Sequence, residues 1–355
     1  MNIDPHLFYK YDNRWFTTKL EVFNYMSTLS NPSLHTDDLR CVINKDYGFD
    51  NIDWTQEPPD EWEKMCVDRM RQIRDAHSKL VLFYSGGSDS QFILNICLKY
   101  NIQIDELCNT QIHLKGLDSN WWNFECNDVA IPFVKEHCSH IPFNLVEFSD
   151  WNLYYSNNSF SPDGRAFERG ASVFAQPFTG LVTTVVDTYV KRGFTIIHGC
   201  TEPHVFYDKQ LKKYYAELWD TENFADRCGS PNIVSFYTDP AVPHLHSKQC
   251  HLVKNVLKKL KLEDVDSKNN QMLYKNLICE ATRDGLRASK SSPQFDKMTK
   301  NPMFRTKKQM MFLKEMKNKD ERLYQSYRHF LETTFKGVPL YRMPMGALIG
   351  KWYLE

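Results

Sequence analysis

No C-x-x-C pair occurs among the ten cysteines, no apolar run approaches the ~18 residues needed to cross a bilayer, and no G-x-x-x-x-G-K-S/T segment is present. The first absence argues against zinc ribbons and thioredoxin-like redox sites. The cysteines (41, 66, 97, 108, 126, 138, 200, 228, 250 and 279) are scattered, mostly inside apolar or helical stretches, and read as small buried hydrophobes of a reducing compartment. The second absence excludes a membrane-spanning helix. The start, Met1-Asn2-Ile3-Asp4-Pro5, has neither a basic nor an apolar leader region, so a cytoplasmic protein is expected. The third excludes a Walker-type phosphate loop. Disorder is excluded by what is abundant: 23 Phe, 18 Tyr and 8 Trp supply ample apolar area. At 355 residues, one large domain with additions or two domains are expected.

Net charge is also missing, with 44 Lys+Arg against 44 Asp+Glu, but the balance is a cancellation along the chain. Residues 1–150 carry 13 basic against 23 acidic residues, 151–245 carry 8 against 10, and 246–355 carry 23 against 11. A final third at +12 suits a polyanion, whether nucleic acid, nucleotide phosphates or pyrophosphate, or else a solvated Lys-rich helical surface.

Three regions follow from patterning. Residues 1–58 are aromatic-rich with Asn-Pro and Glu-Pro-Pro turn signals and read as an irregular lead-in packed on the core. Residues 59–245 alternate helices with short apolar runs: a helix to about Ala76, a run at 80–84, a helix from Gln91 to Tyr100, and runs at 107–114, 143–148 and 194–198. Trp121 to Cys138 reads as a helix broken near Pro132, and 180–192 as another, ended by Gly193. Unbroken apolar runs alternating with helices predict a parallel α/β sheet with helices on both faces. The polar stretch 151–179 has the length of a functional loop, and 205–219 suits a hairpin insertion. Residues 246–355 read as a basic, mainly helical addition, with helices over about 247–261, 270–281, 306–318 and 320–335.

Ser85-Gly86-Gly87-Ser88-Asp89-Ser90 lies between the first buried run and the next helix. Two glycines let the backbone turn sharply and approach a ligand closely. The following helix N-terminus offers unpaired N–H groups and a positive dipole end, which is an anion site. Ser85 and Ser90 add hydroxyl donors. Asp89 would repel phosphate unless a cation lay between, so a Mg²⁺ ligand is its natural role.

S-G-G-x-D-S after a buried strand resembles the pyrophosphate-binding loop of the ATP pyrophosphatase (PP-loop) superfamily, which has a Rossmann-like adenine nucleotide α-hydrolase fold. Relatives include asparagine, GMP and NAD synthetases, tRNA-lysidine synthetase, tRNA thiolases and PAPS reductases. The motif match covers residues 79–100, and the strand spacing supports it to 205. The resemblance implies ATP and Mg²⁺: cleavage to AMP and pyrophosphate, adenylation of a carboxylate, carbonyl or amide oxygen, and displacement by a nitrogen or, less readily, sulfur nucleophile. It places Ser85, Gly86, Gly87, Ser88, Asp89 and Ser90 on the pyrophosphate. A second anchor, Ile196 to His204, is loosely similar to a glycine-containing loop of GMP synthetase. It offers Gly199 near the nucleotide and Glu202 as a partner of Asp89 on the metal; His198 and His204 read as hydrogen-bonded histidines. Asp89, Glu202 and Lys290 are the catalytic candidates, and Arg283, with Arg287 and Lys307-Lys308, a candidate phosphate contact. Trp121, Trp122, Phe167 and Arg169 are candidates for a substrate pocket or for packing.

Departures from the superfamily patterns point to the nitrogen-transferring branch. Position four of the loop is Ser88, where sulfonucleotide reductases usually carry Lys, and there is no E-C-G-x-H segment. The missing C-x-x-C pairs argue against iron–sulfur tRNA thiolases and zinc-containing nitrile synthases. A small-molecule substrate is expected, with a tRNA or DNA base as the alternative suggested by the basic third, and a non-catalytic nucleotide sensor as another. Self-association is left open.

Overall fold

In the computed structural model, residues 7–16, 19–26, 28–29, 39–43, 48–113, 123–148, 185–199, 203–219, 232–266, 270–284, 321 and 348–355 are described. Among them, no helix is long and apolar enough to cross a membrane.

Leu80, Val81 and Leu82 are wholly buried, as an unbroken apolar run requires, and they form the middle of a five-stranded parallel sheet. Its strands are β4 (Leu80–Phe83), β5 (Glu106–Ile112), β6 (Phe143–Phe148), β7 (Thr195–His198) and β10 (Ile233–Ser235), in the order β10-β7-β4-β5-β6. Both faces are covered. Leu80, Leu82 and Tyr84 pack with α2 (Trp62–Ala76) and α3 (Ser88–Lys99), and the Tyr84 ring meets Phe133 of α4 (Ile131–His137). On the other face Phe83 meets Tyr189, from the helical segment 185–191, at 6.1 Å between ring centroids. The four expected strands and the break before Pro132 are present; β10 is an addition. The break is a π turn over Cys126–Ala130, in which the Ile131 N–H bonds the Cys126 carbonyl. Proline has no N–H for the ordinary ladder and crowds the carbonyl four residues back, so the register slips just before it.

The lead-in is not irregular: it holds three strands and the helix α1 (Lys19–Met26). β1 (Leu7–Tyr11) and β2 (Arg14–Phe16) make a hairpin whose two-residue turn, Asp12-Asn13, has both φ positive, at 49° and 57°. This suits Asp and Asn, the residues that tolerate such φ values best after glycine. With β3 (Arg40–Ile43), β11 (Leu348–Tyr353) and the expected hairpin β8 (His204–Asp208) and β9 (Lys213–Trp219), they complete a second, six-stranded mixed sheet ordered β2-β1-β3-β11-β9-β8. The strand β11 is an addition to the region expected to be mainly helical.

Helix α5 (Pro243–Leu260) serves both layers. Leu245 joins the core of the parallel sheet, while Cys250, Val253 and Leu257 pack on Val205, Ala216 and Leu218 of the mixed sheet. Several of its lysines are spent internally: Lys248 donates to Glu57 at 2.7 Å and to the Pro58 carbonyl at 2.9 Å, and Lys258 pairs with Glu355 at 2.8 Å. Part of the basic final third is thus neutralised within the fold. The expected helices over 306–318 and 320–335 and the loop over 151–179 lie outside the described residues, Glu321 aside.

Candidate phosphate-binding site

The parallel strands, counted along the chain, are ordered 3-2-1-4-5, the doubly wound arrangement. The order reverses between β4 and β7, and such sheets bind ligands beyond the carboxyl ends of the strands at that point. The loop Ser85–Gly87 leaves β4 there, and Gly199 follows β7 beside it. A Cβ on Gly199 would lie 3.5 Å from the Asp89 backbone, so the two loops touch as the sequence expected.

Within the loop the hydroxyls fold inward. Ser90 Oγ accepts from the Ser85 N–H at 3.3 Å, donates to the Gly87 carbonyl at 3.2 Å and meets Ser85 Oγ at 3.2 Å. Ser85 Oγ also accepts from the Gly87 N–H at 3.1 Å. Ser90 is buried, while Ser85 is exposed and Gly87, Ser88 and Asp89 are half-exposed. Among the described residues no side chain caps α3, and the first turn of a helix carries N–H groups that have no partner within the helix. This is the chemistry of an oxyanion cradle, and it fits the phosphates of a nucleotide.

Gly86 has φ +86°, and a Cβ there would lie 2.6 Å from the Glu125 carbonyl oxygen and 3.0 Å from the Ala130 nitrogen. The π turn therefore buttresses the back of the loop, which suits a distortion found so often at functional sites. Glu125 also brings its carboxylate to the rim, 3.6 and 3.7 Å from where a Cβ on Gly87 would stand. Sequence reasoning passed over Glu125, since nothing in its neighbourhood marks it.

The structure places Arg283 differently from expectation. It follows α6 (Gln271–Thr282) and is fully buried at 0% exposure. Its Nε donates to Asp89 Oδ1 at 2.8 Å, and its Nη1 donates to the Thr282 carbonyl at 3.0 Å and to Thr282 Oγ1 at 2.9 Å. The Gln249 amide, turned with its oxygen toward the guanidinium, accepts from Nη1 and Nη2 at 2.9 and 2.7 Å. The guanidinium lies over the Tyr237 ring at 3.8 Å, and Tyr237 in turn donates its hydroxyl to the Asp89 carbonyl at 3.0 Å. Burial disfavours the Arg283 charge, but Tyr237 and Asp89 outweigh it and hold the group above its ordinary pKa. Arg283 meets the loop from beneath, through Asp89, and not from the crevice. Asp89 is no solvated carboxylate either, with its side chain 25% exposed. One turn earlier on α6, Cys279 donates to Ser88 Oγ at 3.5 Å.

Mg²⁺ fits less well than phosphate. Asp89 is engaged by Arg283, and no described group of three or more His, Cys, Asp or Glu side chains could hold a metal. Glu202 and Lys290 lie outside the described residues, as do Cys200, Arg287, Trp121, Trp122, Phe167, Arg169, Lys307 and Lys308. Cys66, Cys97, Cys108, Cys126, Cys138, Cys250 and Cys279 are buried, and none of these seven is in a disulfide. Burial raises the thiol pKa of Cys97 to about 12 and of Cys108 to about 11, which suits packing and not nucleophilic work.

A parallel doubly wound sheet with helices on both faces defines the Rossmann-like class of α/β folds. No protein-family model and no curated protein matches the sequence. Among solved structures, the U34-tRNA thiolase NcsA from Methanococcus maripaludis, with its 4Fe-4S cluster, is similar at 13% identity and a TM-score of 0.30, covering 78% of this chain and 80% of that one. At that TM-score the likeness carries no argument about chemistry, which rests on the site's own residues.

Proposed function

We propose that this chain is an ATP pyrophosphatase of the PP-loop type, splitting ATP between its α and β phosphates and transferring AMP to an oxygen of its substrate. The observation that supports the reading is the placement of Ser85–Ser90 at the carboxyl end of the central strand, where the strand order reverses. In this reading the N–H groups of the first turn of α3 hold the departing pyrophosphate, Ser85 orients it, and Gly199 lets the loop after β7 lie close against α3. Such transfers need positioning and charge stabilisation more than covalent help. A nitrogen nucleophile that displaces AMP is the narrower form of the proposal. Incubation with α-labelled ATP, Mg²⁺ and candidate acceptors should release AMP and pyrophosphate; ADP as the sole product overturns the reading.

The +12 charge of residues 246–355 favours a second reading, the same chemistry on a tRNA or DNA base. Nucleic-acid binding that weakens steeply with salt supports it. No binding even at about 50 mM salt removes it.

A further inference from the structure

We infer that Asp89 is the internal counter-ion of Arg283, and that Arg283 is thereby a positioning residue that lets the loop bind pyrophosphate without a cation held by Asp89. The inference rests on the phosphate-binding reading above and deepens it.

A guanidinium at 0% exposure must be compensated where it lies, because a buried unpaired charge is strongly destabilising. Gln249, Thr282 and the Tyr237 ring are neutral partners of this one, and Asp89 brings a carboxylate to it at 2.8 Å. The pair spans the chain. Trp62 of α2 donates its indole N–H to the Thr282 carbonyl at 2.9 Å, and its ring stacks with Phe92 of α3 and with Tyr237. The end of α6 is therefore fixed against α2 and α3 together, and Arg283 cannot leave Asp89 for a ligand in the crevice without unpacking that junction. With its charge answered from below, Asp89 adds no net repulsion at the helix N-terminus. The N–H groups of the first turn of α3 then attract an oxyanion directly. The Glu125 carboxylate also faces the loop, and it is unchanged in every variant below, so it cancels in the comparison.

Inorganic pyrophosphate titrated by calorimetry, in EDTA and in Mg²⁺, tests this together with thermal unfolding in metal-free buffer. In EDTA the unaltered protein should bind pyrophosphate within about threefold of its Mg²⁺ affinity, Arg283→Gln should lose at least about tenfold, and Asp89→Asn/Arg283→Gln should recover most of that loss. Asp89→Asn alone should lower the unfolding temperature by about 3 °C or more, because it strands a buried guanidinium, and adding Arg283→Gln should reverse part of the drop. These two readouts remain informative if Arg283→Gln folds poorly on its own. The inference is overturned if the unaltered protein requires Mg²⁺ and Asp89→Asn abolishes that requirement at unchanged stability, which would make Asp89 a metal ligand while leaving the phosphate site standing. Pyrophosphate bound under no condition would overturn both the site and the inference.

Discussion

Gly86 stands so close to Glu125 that a Cβ on the glycine would lie 2.6 Å from the Glu125 carbonyl oxygen. The obstacle is backbone, held by the π turn, and cannot rotate away. Gly86 also has φ +86°, which L side chains rarely adopt. Gly86→Ala should cost about 3 kcal/mol, combining backbone strain with overpacking. Urea unfolding should show this loss, and pyrophosphate titration should show the binding gone.

Gly199 gives the opposite forecast although it is the same residue type at the same crevice. A Cβ there would lie 2.6 Å from Ile93 Cδ1, the far end of a flexible side chain. Gly199→Ala should cost about 1 kcal/mol or less, and trimming the obstacle with Ile93→Val should make the pair non-additive. A double-mutant cycle on urea midpoints measures the coupling. Strict additivity would show that the two side chains do not meet.

Ser90 organises the loop from inside, with Oγ shared among the Ser85 N–H, Ser85 Oγ and the Gly87 carbonyl. Ser90→Ala removes these bonds at a cost of about 1 kcal/mol. The fold should survive, with pyrophosphate affinity reduced about tenfold because the N–H groups are no longer held in place. Calorimetry beside a far-ultraviolet dichroism spectrum separates the two effects.

His246 makes stability depend on pH. It is fully buried, edge-on to Phe49 and Trp54, and burial, reinforced by nearby His204, lowers its pKa from 6.5 to about 3. The unfolded chain takes up the proton first, so this contribution is complete above pH 6.5 and is lost as pH falls from there toward 3. The slope is about 1.4 kcal/mol per pH unit within that window. Urea midpoints should fall between pH 7 and pH 5, and His246→Phe should flatten that part of the profile.

Much of the parallel sheet was legible because its cause is local. The run Leu80–Phe83 has no polar face to offer solvent, and the α2 stripe of Trp62, Cys66, Met70 and Ile73 repeats at helical spacing and is buried as that spacing requires. The second sheet was not legible. β1 and β3 find their partners in each other and in β11, across more than 300 residues, and nothing in a three- to six-residue strand announces so distant a neighbour. Arg283 shows the same limit within the site. Its type and its spacing to Arg287 suit a phosphate contact, but Trp62 anchors the neighbouring Thr282, and Gln249 and Tyr237 hold the guanidinium inward on Asp89.

The sequence by itself determined the glycine turn between a buried strand and a helix, and with it an oxyanion cradle, because backbone freedom and unpaired N–H groups follow from residue type and position alone. Tertiary structure decided which charges remain available to a ligand. Opposite charges remote in the chain, Arg283 with Asp89 and Lys248 with Glu57, neutralise each other only where packing brings them within hydrogen-bond distance and removes the water that would otherwise screen them.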